Sequence, residues 1–312
     1  MKCTHCGSAQ AAVSLSYGGD HLCEGCFLRL FEKRVRKTVR QSRLISPNDV
    51  IAVGLSGGKD SAAAIHILAQ LFGNIPKLDL FGVTVDMGVR GLGNEIVKVA
   101  KKQCDALGVE HRVFSLKKEL GITIDDVMKR AGRRKRQPNA CSWCGVLRRR
   151  VLNRRLRELG ATKLATGHNL DDEIQSFWMN IIRSDFQRIA RMGAFVGVVR
   201  GEKFVPRIKP LRDTPENEVL AYTRINNIPY TKTACPLRGE TFRVTVKRML
   251  DDLERKQPGS KFQQLASVDG MIPIMREQYK NAGEICTCTR CGEYASGKTC
   301  KTCAMLEELG LS

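Results

Sequence analysis

Apolar runs of strand length, each followed by a helical pattern, recur through the middle of the chain. DVIAVGL (49–55) is continuous and apolar, as expected of a strand buried on both faces of a parallel sheet. LDLFGVTVD (78–86), HRVFSL (111–116) and KLATGH (163–168) predict further strands. Between the first two, Ile65, Leu68 and Phe72 share one helical face; from Asn94 to Leu107, Val97, Ala100, Cys104 and Leu107 do the same. Cys104 is therefore expected in the core. This alternation predicts an α/β fold with a doubly wound parallel sheet, in which ligands bind at the carboxyl ends of strands. After VPRIKPL (205–211) the pattern turns helical. Thr214 as N-cap and Pro215 at the first helical position open one helix, and two more are expected over about 241–256 and 261–281. Upstream, FLRLFEKRVRKTVRQSRLI (27–45) is a basic, helix-prone connector.

Composition changes the picture in two ways. The balance of 52 basic against 32 acidic residues gives a net charge of +20, which suits a polyanionic partner. The arginines cluster, in RRKRQ (133–137) and RRRVLNRRLR (148–157), densely enough to track a phosphate backbone. Arg150, Arg154 and Arg157 would form one helical stripe, with Leu152, Leu156 and Leu159 facing the sheet; Lys33, Arg34, Arg36, Lys37 and Arg40 of the connector would extend the track. No apolar run reaches membrane-span length and the start has no signal-peptide core, so a cytoplasmic protein without a membrane partner is expected.

The 13 cysteines are the second change, because in a cytosolic chain they argue for metal or redox chemistry over disulfides. Cys3, Cys6, Cys23 and Cys26 form C-x2-C-x16-C-x2-C, and Cys288, Cys291, Cys300 and Cys303 form C-x2-C-x8-C-x2-C. Both read as zinc ribbons, one near each end, with Cys286 surplus to the second. The expected layout is a ribbon (1–28), a connector helix (29–47), the α/β domain (48–240), a helical extension (241–283) and a second ribbon (284–312).

The turn after the first strand, SGGKDS (56–61), looks built for phosphate, yet it is not a Walker A loop: Asp60 follows Lys59, and Gly57 and Gly58 are adjacent. Small residues let backbone N–H groups approach phosphate oxygens at a helix N-terminus, Lys59 offers a cation, and Asp60 suggests a Mg2+ contact. The turn resembles the PP-loop of the N-type ATP pyrophosphatases, which cleave ATP between the α- and β-phosphates. That resemblance implies that Ser56, Gly57, Gly58, Asp60 and Ser61 bind the pyrophosphate portion and that the acceptor becomes an adenylate.

Three further cysteines suggest the acceptor's fate. Cys141 and Cys144 form C-x2-C before the arginine-rich helix, and Cys235 stands alone in TACPLRGE. Four would suggest zinc and two a redox pair; three suggest an iron–sulfur cluster with one iron open. With CSWCGVLRRR, TGHNLDDE, MNIIRSD, PRIKPLRDTPENEVLAY and CGEYASGKTCKTC, the chain resembles, over essentially its full length and in order, the archaeal and eukaryotic cytosolic tRNA 2-thiouridine synthetases, relatives of the T-loop 2-thiolation enzymes. The resemblance implies an ATP-dependent transferase that adenylates the 2-oxygen of a tRNA uridine and replaces it with sulfur delivered on a 4Fe–4S cluster held by Cys141, Cys144 and Cys235. It implies that Gly54 and Gly167 border the nucleotide and that Val85 lies near the adenine. Asp172, or its neighbour Asp171, would be the catalytic or metal-orienting carboxylate, with His168 beside it. Arg148 stands where the T-loop enzymes often carry lysine, which points to the wobble uridine. A persulfide and disulfide pair among the same cysteines is the alternative chemistry. The rivals are an amide-forming or lysine-ligating PP-loop enzyme and a zinc-ribbon RNA-binding protein with a vestigial loop. The sulfur donor (sulfide, a persulfide or a ubiquitin-like thiocarboxylate carrier) and a homodimer are left open by the sequence.

Overall fold

The computed structural model describes residues 1–131, 139–196, 204–239, 241–279, 286–295 and 297–311. The arginine run at 133–137 lies outside them. A hairpin of β1 (Val13–Ser14) and β2 (His21–Leu22) leads into α1 (Glu24–Gln41). The α/β domain follows as β3 (Val50–Gly54), α2 (Lys59–Phe72), β4 (Asp79–Asp86), α3 (Gly93–Asp105), β5 (Glu110–Ser115), α4 (Leu116–Leu120), α5 (Ile124–Ala131), α6 (Ala140–Glu158), β6 (Lys163–Ala165), α7 (Leu170–Ile182), α8 (Phe186–Ala190), β7 (Phe195–Val196), β8 (Arg207–Ile208) and α9 (Glu216–Ile225). Helices α10 (Phe242–Lys256) and α11 (Ser260–Gln278) come next, then β9 (Cys286–Thr287), β10 (Tyr294–Ala295) and α12 (Lys301–Glu308).

The sheet runs β5-β4-β3-β6-β8-β7 and is parallel except for β7, which pairs antiparallel with β8. The chain moves outward from β3 to β5, then returns to the other side of β3 as β6. That reversal opens a crevice between the carboxyl ends of β3 and β6, where an open α/β sheet takes its ligand. SGGKDS and TGHNLDDE both begin there. Ile51, Ala52 and Val53 are fully buried because helices cover both faces. One face packs α1, α2 and α9 through Phe31, Ile65 and Tyr222; the Phe31 and Tyr222 rings stack 4.1 Å apart. The other receives α6 through Leu156, with Leu152 and Leu159 beside it, as the helical pattern predicts. Cys104 is fully buried in the core, also as expected.

Three expectations are corrected. Pro215 sits at the N-cap position, and α9 starts one residue later than the Thr214 cap predicts. The Glu216 N–H is instead accepted by Asp171 Oδ2, 2.7 Å away on α7, so a distant carboxylate does the capping and Thr214 is fully buried. Arg34 does not extend a basic track, because it turns inward to the buried Glu218 carboxylate and the Tyr17 hydroxyl. That contact joins α1, the first ribbon and α9. The other expected connector cations, Lys33, Arg36, Lys37 and Arg40, are exposed.

The α6 stripe is corrected most. Arg150 and Arg157 both reach Glu293 of the second ribbon, at 2.5 and 2.7 Å, while Arg154 pairs with Glu158 one turn on. Met305 of α12 and Leu309 just after it complete the docking by packing with Trp143, Leu147 and Val151. Arg150 and Arg157 therefore hold the ribbon against α6. Glu293→Ala is expected to cost about 1–3 kcal/mol, because two partly buried guanidinium groups lose their shared acceptor. Urea unfolding, together with faster proteolytic release of the C-terminal segment, measures this.

Candidate active site

The phosphate loop is assembled from backbone and hydroxyl contacts. Gly57 has φ +77°, a left-handed conformation natural to glycine, and its carbonyl accepts the Thr231 N–H at 2.8 Å. Gly58 is the N-cap of α2, so the first-turn N–H groups of that helix have no acceptor within the helix. The Ser61 hydroxyl donates to the Gly58 carbonyl at 2.9 Å and accepts the Ser56 N–H at 3.2 Å, which closes the loop on itself. The result is a ring of small residues around a positive helix end, suited to an anion.

TGHNLDDE meets this loop from β6. A Cβ on Gly167 would lie 2.5 Å from the Asp60 carbonyl carbon and oxygen and 2.6 Å from the Ser61 nitrogen, so only glycine permits the approach. Asn169 and Asp172 form a capping box at the start of α7, and Asn169 Nδ2 also donates to Asp60 Oδ1 at 3.1 Å. Asp60 and Asp172 are thereby brought together. Burial raises the pKa of each, and the Asp172 charge pushes Asp60 further up, against the pull of Lys59. Two partly desolvated carboxylates beside an anion cradle suit a divalent cation, which would relieve their repulsion.

Asp171 points elsewhere. Besides capping α9 it accepts from Lys261 Nζ at 2.5 Å, so its carboxylate is occupied in tying α7, α9 and α11 together. Of the two neighbouring aspartates, Asp172 is the one whose charge acts on Asp60; its carboxylate accepts the Asn169 N–H and lies 3.5 Å from Arg243. Gly54 leaves ordinary room for a Cβ, with Leu164 Cδ1 at 3.6 Å. Val85 is buried among Leu116, Trp143 and Leu147, so its backbone is what the crevice can use.

His168 reaches solvent at the crevice wall, with Nδ1 2.8 Å from the Thr166 hydroxyl. Crowding by the surrounding protein, and then the charge of Lys209, depress its pKa to about 4. The unfolded chain binds that proton near 6.5 and the folded one only near 4, so this residue subtracts stability as pH falls through that window. His168→Gln should flatten the loss of urea stability between pH 6.5 and 4. A neutral imidazole at pH 7 also predicts that the variant keeps the wild-type shape of the pH–rate profile above pH 6.

The third cysteine set is adjacent. Asn139 Oδ1 accepts the Cys141 N–H at 2.9 Å and caps α6, which places Cys141 on its first turn and Cys144 one turn on. Cys235 lies in the loop after α9. Thr231 binds this loop to Gly57, and Thr231 and Thr233 donate to Glu95 of α3. Burial raises the Cys144 pKa, the Arg148 charge opposes this, and nearby Cys141 and Cys235 raise it again. The three thiols thus share one electrostatic neighbourhood beside the phosphate loop. They are not drawn as tight as the ribbon cysteines; the thiolates of a cubane bind different irons and stand further apart than the ligands of one ion. Three thiols with a cation beside them fit such a cluster.

The ribbon cysteines, by contrast, fit a single ion. All four sulfurs of each group lie within 4.8 Å of one another, and Cys6–Cys23 and Cys291–Cys300 are 3.9 and 3.7 Å apart. A tetrahedral ion with Zn–S of about 2.3 Å sets sulfurs about 3.8 Å apart. Cys286 lies outside the second group, in β9 opposite Ala295.

Two cations border the site, Arg149 from the expected arginine run and Arg207, which sequence patterning missed. Arg149 sits on α6, the cysteine helix, and Arg207 on β8. Crowding and then Arg148 and Arg188 lower the pKa of Arg149, while crowding and then Arg149 lower that of Arg207. No described carboxylate pairs with either. Glu216, Lys247 and Asn169 are also site residues that were not foreseen. Of these only Asn169 had a local signal, since N-L-D-D is the signature of a capped helix start.

The loop, its two carboxylates and the sheet reversal define the PP-loop class of nucleotide-binding domain, and residues 28–250 match the PP-loop domain family. The chain is 34% identical to tRNA 2-thiolation protein NcsA of Haloferax volcanii, over 99% of both chains. It is 36% identical to a probable sulfurtransferase of Methanocaldococcus jannaschii, over 99% of this chain and 88% of that one. With cytoplasmic tRNA 2-thiolation protein 1 of Oryza sativa it shares 32% identity, over 98% of this chain and 82% of the other. Its fold matches that of the U34-tRNA thiolase NcsA from Methanococcus maripaludis, solved with its 4Fe–4S cluster, at a TM-score of 0.83 and 33% identity, over 100% and 98% of the two chains. The chain belongs to this tRNA 2-thiolation family of PP-loop transferases. No described helix is long and apolar enough to cross a membrane.

Proposed function

We propose that the protein is an ATP-dependent tRNA sulfurtransferase that replaces the 2-oxygen of the wobble uridine with sulfur, releasing AMP and pyrophosphate in the cytoplasm. The observation that carries this reading is the tether between the phosphate loop and the cysteine loop, the Thr231 N–H to Gly57 carbonyl bond of 2.8 Å. On this reading it keeps the loop where an oxygen would be adenylated beside the cysteine loop from which sulfur would arrive. The resemblance of the fold to a U34-tRNA thiolase supports the wobble position.

The residues divide the work. Ser56, Gly57, Gly58 and Ser61 hold the β- and γ-phosphates, and Lys59 supplies positive charge as the pyrophosphate leaves. Asp60 and Asp172 would hold a Mg2+ ion, which when bound would neutralise phosphate charge. The uridine oxygen attacks the α-phosphorus; Gly54, Gly167 and the Val85 backbone border the nucleotide. Cys141, Cys144 and Cys235 would hold a 4Fe–4S cluster, which when bound would supply the sulfur-transfer chemistry. Arg148, fixed as a cation, favours departure of the anionic AMP rather than proton transfer. Zinc at the two ribbons has a structural role.

Incubating the cluster-loaded protein with ATP, sulfide and unmodified tRNA tests the proposal. AMP, pyrophosphate and 2-thiouridine in the anticodon fragment are expected by mass spectrometry. ADP and phosphate as main products would overturn the loop assignment, and thiolation confined to the T-loop fragment would move the target.

The two unpaired cations bordering the site give a further expectation. Charge reversal at Arg149 and Arg207 should weaken tRNA binding and reduce its salt slope by about one per lost phosphate contact. Reversal of Arg154, already paired on its own helix, should leave that slope unchanged. Filter binding across a salt series reads both.

A further inference from the structure

The charges of the phosphate loop are already matched in this structure, in a way that would obstruct a metal. Lys59 Nζ donates to both oxygens of Asp60, at 3.0 and 2.9 Å. Asn169 adds a third donor, 3.1 Å from Asp60 Oδ1. A cation approaching Asp60 would meet an ammonium in front of both carboxylate oxygens. For Asp60 to serve Mg2+, Lys59 must move off it, and a half-buried ammonium needs an acceptor to move toward.

Such an acceptor is in place. Glu216 Oε1 lies 2.9 Å from Lys59 Nζ, on the first residue of α9. Its position does not depend on Lys59: Lys247 holds the other oxygen, and Asp171 holds the Glu216 N–H at 2.7 Å. Asp171 is in turn fixed by Lys261, so the anchor extends into α11. Burial alone would raise the Glu216 pKa, but the hydrogen bonds from Lys247 and Lys59 bring it down to about 2, so the group is anionic at any working pH.

We propose that Glu216 is the positioning residue for metal–nucleotide loading: it retains the Lys59 ammonium when Mg2+ and the triphosphate arrive, and so frees the Asp60 carboxylate for the cation. Glu216 acts through Lys59 and touches neither phosphate nor metal. The inference rests on reading the loop as an ATP site and not on the identity of the acceptor.

The test is binding of α,β-methylene-ATP, which cannot be cleaved at the bond in question, to the full-length protein by calorimetry, with Mg2+ and with EDTA. Glu216→Gln should shrink the affinity gained from Mg2+ about tenfold, the effect of one charged contact of roughly 1.4 kcal/mol, while metal-free binding stays as in wild type. The Mg2+ concentration that half-saturates pyrophosphate release should rise while the rate at saturating Mg2+ is retained. Glu216→Asp should recover part of the loss. Lys247→Met, which frees Glu216 without removing its charge, should shift the same ratio by less. A wild-type Mg2+ gain in Glu216→Gln overturns the proposal, as does equal weakening of both forms, which marks a residue that only supports the fold. Failure of the wild type to bind the analogue overturns the ATP-site reading itself, and the proposal falls with it; failure to thiolate tRNA leaves the binding result standing.

Discussion

Replacing Cys141, Cys144 or Cys235 with alanine is expected to take tRNA thiolation below detection while ATP binding stays as in wild type. Each residue would supply one of only three protein ligands, and none contributes to the phosphate loop, whose contacts are backbone and hydroxyl groups. Cys141 is exposed and Cys144 and Cys235 are part-buried, so truncation opens little cavity and the fold should survive. Cys104→Ala is the matched control. That thiol is fully buried between helix and sheet, its pKa raised to about 11 by burial, so its loss should lower stability and leave thiolation per folded molecule unchanged. Iron content measured with the activity separates the two chemistries of the cysteine set. Loss of iron in all three variants supports the cluster. Full activity in an iron-free wild type would instead leave a persulfide pair.

The second ribbon touches α6 through Arg150 and Arg157 and through the apolar cluster of Trp143, Leu147 and Val151, against which Cys144 also packs. Loss of the second ribbon's fold should therefore disturb the start of α6 and Cys144 before it affects the phosphate loop. The loop is held by α2, by β6 and by the Thr231 tether.

What the sequence made legible was local. The buried strands, the SGGKDS turn and the cysteine frames each carry their chemistry within a few residues, and the structure places all of them at the sheet reversal or at the ribbons. What it hid depended on distant partners. A stripe of Arg150, Arg154 and Arg157 reads as a phosphate track until Glu293, more than 130 residues away, takes two of the three. Asp171 and Asp172 are indistinguishable in TGHNLDDE; they separate only because the start of α7 turns one carboxylate to α9 and Lys261, and the other to the Asn169 N–H and Arg243, where its charge acts on Asp60. Glu216 gave no signal because its role exists only through Lys59. The antiparallel edge strand β7 is two residues long, too short for a periodicity to show.

Gly167→Ala is expected to be the most damaging single methyl group in the domain. The added Cβ would sit 2.5 Å from the Asp60 carbonyl and 2.6 Å from the Ser61 nitrogen, and both are backbone atoms of the first turn of α2, so no side chain can swing aside. Relief requires β6 and the phosphate loop to part. Overpacking of this kind costs about 1–3 kcal/mol in stability. The larger effect is on catalysis: displacing the loop by a fraction of an ångström to one ångström moves Asp60 away from Asn169 and Asp172, and misplacement on that scale costs on the order of 100-fold in rate. Gly54→Ala provides the contrast at the end of the neighbouring strand. Its Cβ would meet Leu164 and the Ala165 carbonyl at 3.6 and 3.7 Å, ordinary contact distances, so the melting temperature should hold and only nucleotide affinity should fall if Gly54 borders the nucleotide. Pyrophosphate release and thermal unfolding, measured on both variants, decide the matter. Wild-type pyrophosphate release in Gly167→Ala would mean that the close approach of TGHNLDDE to the loop is not what aligns the two carboxylates.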